Sequence, residues 1–177
     1  MNFHQNAAKD FSISRLSDVP AFAPLLASVH AREWGHLYAN WNQDVALVDF
    51  QMENGSPDLP VTWVLHNRTD TVMGSISLVR DDLPGHPRLN PWLASLLVFP
   101  EFQGRGLGRI LVQKALDVLR RRGFRHAFLF TEDKVFFFSK FNFFVHDSAI
   151  AQGHKVTIMR WTAPEPMESS VAESFCM

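Results

Sequence analysis

Residues 98–124 read VFPEFQGRGLGRILVQKALDVLRRRGF, and the fold turns on them. From Leu107 onward, Leu111, Val112, Ala115, Leu116 and Leu119 recur at helical spacing, which makes one apolar face of an amphipathic helix. Arg120, Arg121 and Arg122 complement the negative end of its dipole, and Gly123 supplies a stop. The run before the loop, WLASLLVF (92–99), has the continuous apolar character of a strand buried on both faces. The run after the helix, FRHAFLF (124–130), reads as another strand. Strand, loop, helix and strand in that order imply a right-handed crossover between parallel strands.

Outward from this unit the chain supplies antiparallel partners. VTWVLHN (61–67) and TVMGSISLVR (71–80) flank NRTD as a hairpin, and FSISRL (11–16) alternates like a strand. A helix is expected over AFAPLLASVHAREW (21–34), where Pro24 falls early enough to be tolerated, and a second over 42–52. After the crossover come a short helix, VFFFSKF (135–141), and two closing strands, FFVH (143–146) and KVTIMRW (155–161). The sum is an α/β domain over residues 10–162. Residues 1–9 are expected to form a flexible N-terminus, and 163–177, Pro/Glu/Ser-rich, a mobile tail.

Composition narrows the class. The 177 residues are 46% apolar and 12% aromatic, enough for a sizeable core. A formal charge of −1 gives no global reason to bind nucleic acid or an anionic membrane. The lone cysteine, Cys176, excludes an intrachain disulfide and suits a reducing compartment. The stretch MNFHQNAAKDF has no basic-then-apolar signal pattern and no apolar run approaches ~18 residues, so a cytoplasmic location is expected.

The glycine loop Gln103-Gly104-Arg105-Gly106-Leu107-Gly108 joins strand to helix without a Ser, Thr, Asp or Asn to cap the first N–H groups. Those donors call for an outside acceptor, and Arg105 and Arg109 add positive charge beside the dipole's positive end. A phosphate or pyrophosphate fits there; the plainer reading is a tight turn with packing glycines. The order is neither the GxGxxG of a Rossmann unit nor the GK[ST] of a Walker A loop.

VFPEFQGRGLGRILVQKAL (98–116) resembles the acetyl-CoA-binding motif of the GNAT N-acetyltransferase superfamily, roughly V-x-P-x-x-[QR]-G-x-G-[LIAY]-G. It matches at Val98, Pro100, Gln103, Gly104, Gly106, Leu107 and Gly108. The resemblance covers about residues 10–162, and DLPGHPRLNPWLASLLV (82–98), LFT (129–131) and KVTIM (155–159) resemble a bacterial branch of unassigned acceptor. It implies a mixed, mostly antiparallel sheet of six to seven strands, splayed at its centre and flanked by about four helices. It also implies acetyl-CoA as co-substrate and a small-molecule or peptide amine as acceptor, attacked directly in a ternary complex. A monomer or homodimer is expected, with neither nucleic acid nor membrane as partner. The alternative is a catalytically weak acyl-CoA-binding domain on the same scaffold.

Residue by residue, the resemblance places the pyrophosphate on the main chain of Gln103, Gly104, Arg105, Gly106, Leu107, Gly108 and Arg109. It places the pantetheine arm along Leu96, Leu97 and Val98, with the N–H of Val98 as donor to the thioester carbonyl. Thr131 lies where the family often hydrogen-bonds that arm. An ammonium of pKa ~10.4 must lose a proton before it attacks. Candidate bases are Glu33, Asp81, Asp82, His86 and Glu132, with Asp82 preferred because DLP recurs in the branch pattern. Trp34, Tyr38 and Trp41 fall on the segment that borders the acceptor pocket. No metal is expected, because His30, His36, His66, His126, His146 and His154 show no spacing such as HExxH.

The segment FFFSKFNFF (136–144) is laid over the family's x-F-Y-x-x-L-G-F. Phe138 then takes the place of the tyrosine that commonly protonates the departing thiolate, and Asn142 takes the place of a left-handed glycine. Another donor near the sulfur, such as Ser139 or Thr131, or a tyrosine-independent mechanism, is expected instead.

Overall fold

In the computed structural model, residues 11–52 and 58–164 are described. The expected N-terminal segment and nearly all of the expected tail, with Cys176, lie outside them. Ala163, the tail's first residue, still donates its N–H to the Arg125 carbonyl at 2.9 Å.

Seven strands form one sheet in the order β1-β2-β3-β4-β5-β7-β6. They are β1 (Phe11–Arg15), β2 (Val61–Asn67), β3 (Val72–Val79), β4 (Trp92–Val98), β5 (His126–Thr131), β6 (Phe143–Ala151) and β7 (His154–Thr162). The β4–β5 pair is parallel and all the others are antiparallel. Among the described residues four α-helices accompany them: α1 (Ala23–Trp34), α2 (Gln43–Met52), α3 (Leu107–Arg121) and α4 (Val135–Ser139). None of the described helices is long and apolar enough to cross a membrane.

Alternation along β2 shows how both faces are covered. Trp63 and Leu65 belong to the cluster packed under α3, whereas Val64 belongs to the cluster under α1 and α2. On α3, Leu111, Val112, Ala115, Leu116 and Leu119 are buried, the face read from the sequence. Its end is closed by Gly123 at φ +77, with Gly123 N–H returning to Arg120 and Phe124 N–H to Leu119. The start of α2 is set by Asn42, whose side-chain oxygen accepts the N–H groups of Asp44 and Val45.

The closing hairpin is longer than its sequence pattern suggests. β6 runs five residues past His146 and turns at Gln152 (φ +47) and Gly153 (φ +86) into β7. It is an edge strand, exposed along most of its length and bulged between Val145 and Asp147, so it carries no period-two pattern.

Candidate active site

The parallel strands part almost where they meet. Among the described residues, Trp92↔Phe128 is the one registered pair between β4 and β5. A bulge in β4 bends it away: its register against β3 runs Ser77↔Ala94 and then Ser75↔Leu97. Ser95 and Leu96 thus stand opposite Ile76 alone, and Ser95 takes φ +52. Gly74 on β3 makes room for this bend, since a Cβ there would lie 2.4 Å from the Leu97 carbonyl oxygen. Phe99 N–H donates to the Met73 carbonyl at 3.0 Å. Strand alternation therefore turns the N–H of Val98 the other way, toward the gap beside β5.

At the mouth of the gap, α3 begins at Gly106, which has φ +76 and makes no side-chain cap. The N–H groups of its first turn face outward unsupported by the chain. Gly104 is also left-handed, at φ +75, and a Cβ on either glycine would meet nothing within 4 Å. Gln103 holds the loop to the strand by donating its side-chain amide to the Val98 carbonyl at 2.9 Å. Arg105 folds back, donating to the Glu101 carbonyl at 3.1 Å and lying over the Phe102 ring. Arg109 is exposed on the first turn of the helix.

The gap opens into a cleft of about 1210 Å³ that reaches from Leu96–Val98 and Gly108 to the turn after α1. At its far end the Tyr38 hydroxyl donates to Asp82 Oδ1 at 2.6 Å. Asp82 is half-buried, and desolvation raises its pKa from the ordinary 3.8 to about 6, with the Tyr38 hydrogen bond pulling the other way. Burial, and then the charge of Asp82, pushes the Tyr38 phenol far upward, so it stays a donor. Deeper in, His30 Nε2 meets Ser75 Oγ at 2.9 Å, and burial lowers the imidazole pKa to about 3. His30 is therefore a neutral hydrogen-bonding group.

A family model described as the acetyltransferase (GNAT) family matches residues 26–143. The chain belongs to that family. It is a GNAT acetyltransferase. No curated protein sequence matches the chain, whereas many solved structures share its fold. The yncA protein of Salmonella typhimurium, whose structure holds its cofactor acetyl-CoA, is 19% identical with a TM-score of 0.65, over 90% of this chain and 97% of that one. An acetyltransferase of the GNAT family from Streptococcus pneumoniae is 15% identical with a TM-score of 0.62, over 86% and 99% of the two chains. The spermidine/spermine N-acetyltransferase SpeG of Vibrio cholerae is 12% identical with a TM-score of 0.63, over 86% and 94%. At these identities the likeness is one of fold.

The GNAT cleft gathers most of the residues singled out in the sequence. Leu96, Leu97, Val98, Gln103, Gly108, Thr131, Glu132 and Phe138 line it, as do Asp82, Asp81 and Glu33. His86 does not; its N–H closes a loop turn onto Leu83. Thr131 is buried, and its hydroxyl oxygen accepts the Lys134 N–H at 3.0 Å, which leaves its own proton to donate. Ser139 gives its proton to the Phe136 carbonyl at 2.9 Å and is not part of the cleft wall. Phe138 is buried edge-on against Phe137 and Phe143 while one side of it meets the cleft. Asn142 is left-handed, at φ +62. Glu132 stands between two histidines, His36 Nε2 at 3.0 Å and His154 Nδ1 at 3.2 Å.

Two features escaped the sequence. One is the Tyr38–Asp82 bond, between residues 44 apart in the chain. The other is the Gly74 seat, whose only signal is a glycine inside a strand pattern.

Proposed function

We propose that this chain transfers the acetyl group of acetyl-CoA to a primary amine of a cationic acceptor, by direct attack within a ternary complex. The observation that carries the reading is the single cleft running from the uncapped start of α3 to the Tyr38–Asp82 pair. Acetyl-CoA supplies an activated thioester. The main chain of Gln103 through Arg109 fits its pyrophosphate, because bare N–H groups and a helix dipole favour an anion there. Leu96–Val98 fit its extended arm, with Val98 N–H as the donor to the carbonyl oxygen.

Asp82 is assigned the base. A carboxylate with pKa about 6 is ionised at neutral pH yet basic enough to take a proton from the bound ammonium. Tyr38 is a positioning residue that fixes which carboxylate oxygen stays free. The ammonium first gives one proton to Asp82; the freed nitrogen lone pair then bonds to the acyl carbon, and as the carbon–sulfur bond breaks the second nitrogen proton leaves to the departing thiolate. The thiol of the leaving group has pKa ~8.5, so the thiolate needs little help, and the Thr131 hydroxyl, on the cleft wall with its proton free to donate, is assigned that role where Phe138 has no hydroxyl.

The acceptor's charge follows from the wall. Glu33, Asp49, Asp81, Asp82, Glu132 and Asp133 line the cleft against the cations Arg80 and Lys134. Arg80 is bonded to Asp58 and Lys134 to Asp133. A net negative wall attracts an amine carrying further positive charge. Release of free thiol from acetyl-CoA, followed across diamines, polyamines and lysine peptides, tests the reading. Turnover that needs Asp82 and favours polycations supports it. Failure of the purified, folded chain to bind acetyl-CoA overturns it. Tight binding without turnover on any amine favours the acyl-CoA-binding alternative.

A further inference from the structure

We infer that His36, Glu132 and His154 form a surface site for a first-row transition-metal dication such as Zn²⁺. His36 lies in the helical turn Gly35–Leu37 after α1, Glu132 follows β5, and His154 opens β7. Spacing along the sequence cannot reveal such a set, because the fold brings it from three separate elements. The two carboxylate oxygens already serve one imidazole each: Glu132 Oε2 lies 3.0 Å from His36 Nε2, and Oε1 lies 3.2 Å from His154 Nδ1. One donor atom from each residue falls within 4.8 Å of the others. Two ligands at ~2.1 Å from a tetrahedral ion are about 3.4 Å apart, so modest rotation of these side chains would admit one.

The chemistry favours a borderline-soft ion. Two imidazoles and a carboxylate match the three protein ligands of open zinc sites, with water free to complete the coordination. Mg²⁺ and Ca²⁺ prefer all-oxygen sets. The side chains are 39–45% exposed, so an ion can reach them without opening the fold. Occupancy would tether the turn that carries Tyr38, two residues after His36, to the β6–β7 hairpin. It would also neutralise Glu132, which is part of the acidic cleft wall. The site does not depend on the acyl-transfer reading.

Untagged, metal-free chain titrated with Zn²⁺ by calorimetry, and with Co²⁺ by its visible absorption, tests the site. One ion per chain is expected, with Mg²⁺ giving no heat. His36→Ala and His154→Ala should each weaken binding by at least roughly tenfold. Glu132→Gln should weaken it while keeping its shape, and circular dichroism checks that all three variants are folded. His126→Ala is the control and should bind as the parent does. Absence of Zn²⁺ binding, binding unchanged in His36→Ala and His154→Ala, or equal loss in His126→Ala would each overturn the inference.

Discussion

Asp82 carries two consequences of one physical fact. Its desolvated carboxylate has a folded pKa of about 6 against an ordinary 3.8. Rates with an acceptor of fixed charge should therefore rise through pH ~6, and Asp82→Asn should lose that limb and roughly 10²–10⁴-fold in kcat/KM. The Tyr38 bond lowers this pKa, so Tyr38→Phe should move the limb upward; pH–rate profiles of both variants decide the point. The linkage sign is set by a raised carboxylate. The folded chain binds the extra proton more tightly, so stability from this group is present below pH ~4 and is lost as pH rises through ~6. Asp82→Asn should accordingly be more stable than the parent at pH 8, by roughly 1–3 kcal/mol, and indistinguishable at pH 4 in urea titrations. Phe138 invites the opposite experiment. With Asp82 as base and a thiolate that leaves unaided, Phe138→Tyr should leave turnover unchanged; a marked rise would identify a lost acid.

At the scale of elements, α3 was legible because its periodicity, its uncapped start and its glycine stop agree with one another. β6 was legible only as far as FFVH, since an edge strand exposed along most of its length has no alternation to read. The bulge in β4 follows from the family resemblance and not from the residues: WLASLLV has no alternation to break, and the register against β3 places the bulge where Ser95 and Leu96 share one partner. Gly74 is the counterpart that permits it. Gly74→Ala would drive a methyl to 2.4 Å from the Leu97 carbonyl oxygen, and the backbone must shift. The expected loss is about 1–3 kcal/mol by chemical denaturation, with weaker acetyl-CoA binding from the displaced strand. Gly106→Ala makes a useful contrast. Its Cβ would enter open space, so only the left-handed φ opposes it, at about 1 kcal/mol. Its larger effect should be on cofactor affinity, because that open space is where the pyrophosphate is proposed to lie.

At the scale of the molecule, the sheet is two halves joined by little. β1 to β4 form one antiparallel run and β5 to β7 another, with Trp92↔Phe128 as the registered link among the described residues. Trp92 and Phe128 sit in a small cluster of their own with Leu37, Leu83 and Ile158, apart from the clusters under α3 and under α1 and α2. The residues themselves show the parallel crossover, whereas this parting is expected only through the family resemblance, which implies a sheet splayed at its centre; nothing in FRHAFLF itself announces unpaired backbone. A cofactor arm lying in the gap would supply the missing hydrogen bonds to both halves and so act on the whole molecule. Acetyl-CoA at a hundredfold excess over its Kd should stabilise the chain by about 2.7 kcal/mol. For a domain of this size that raises Tm by roughly 5–11 °C. Amide exchange should slow along β4 beyond Trp92 and in the first turn of α3, while the β6–β7 hairpin, already paired, changes little. Uniform slowing of exchange across the sheet, or stabilisation without protection at Val98, would place the cofactor elsewhere.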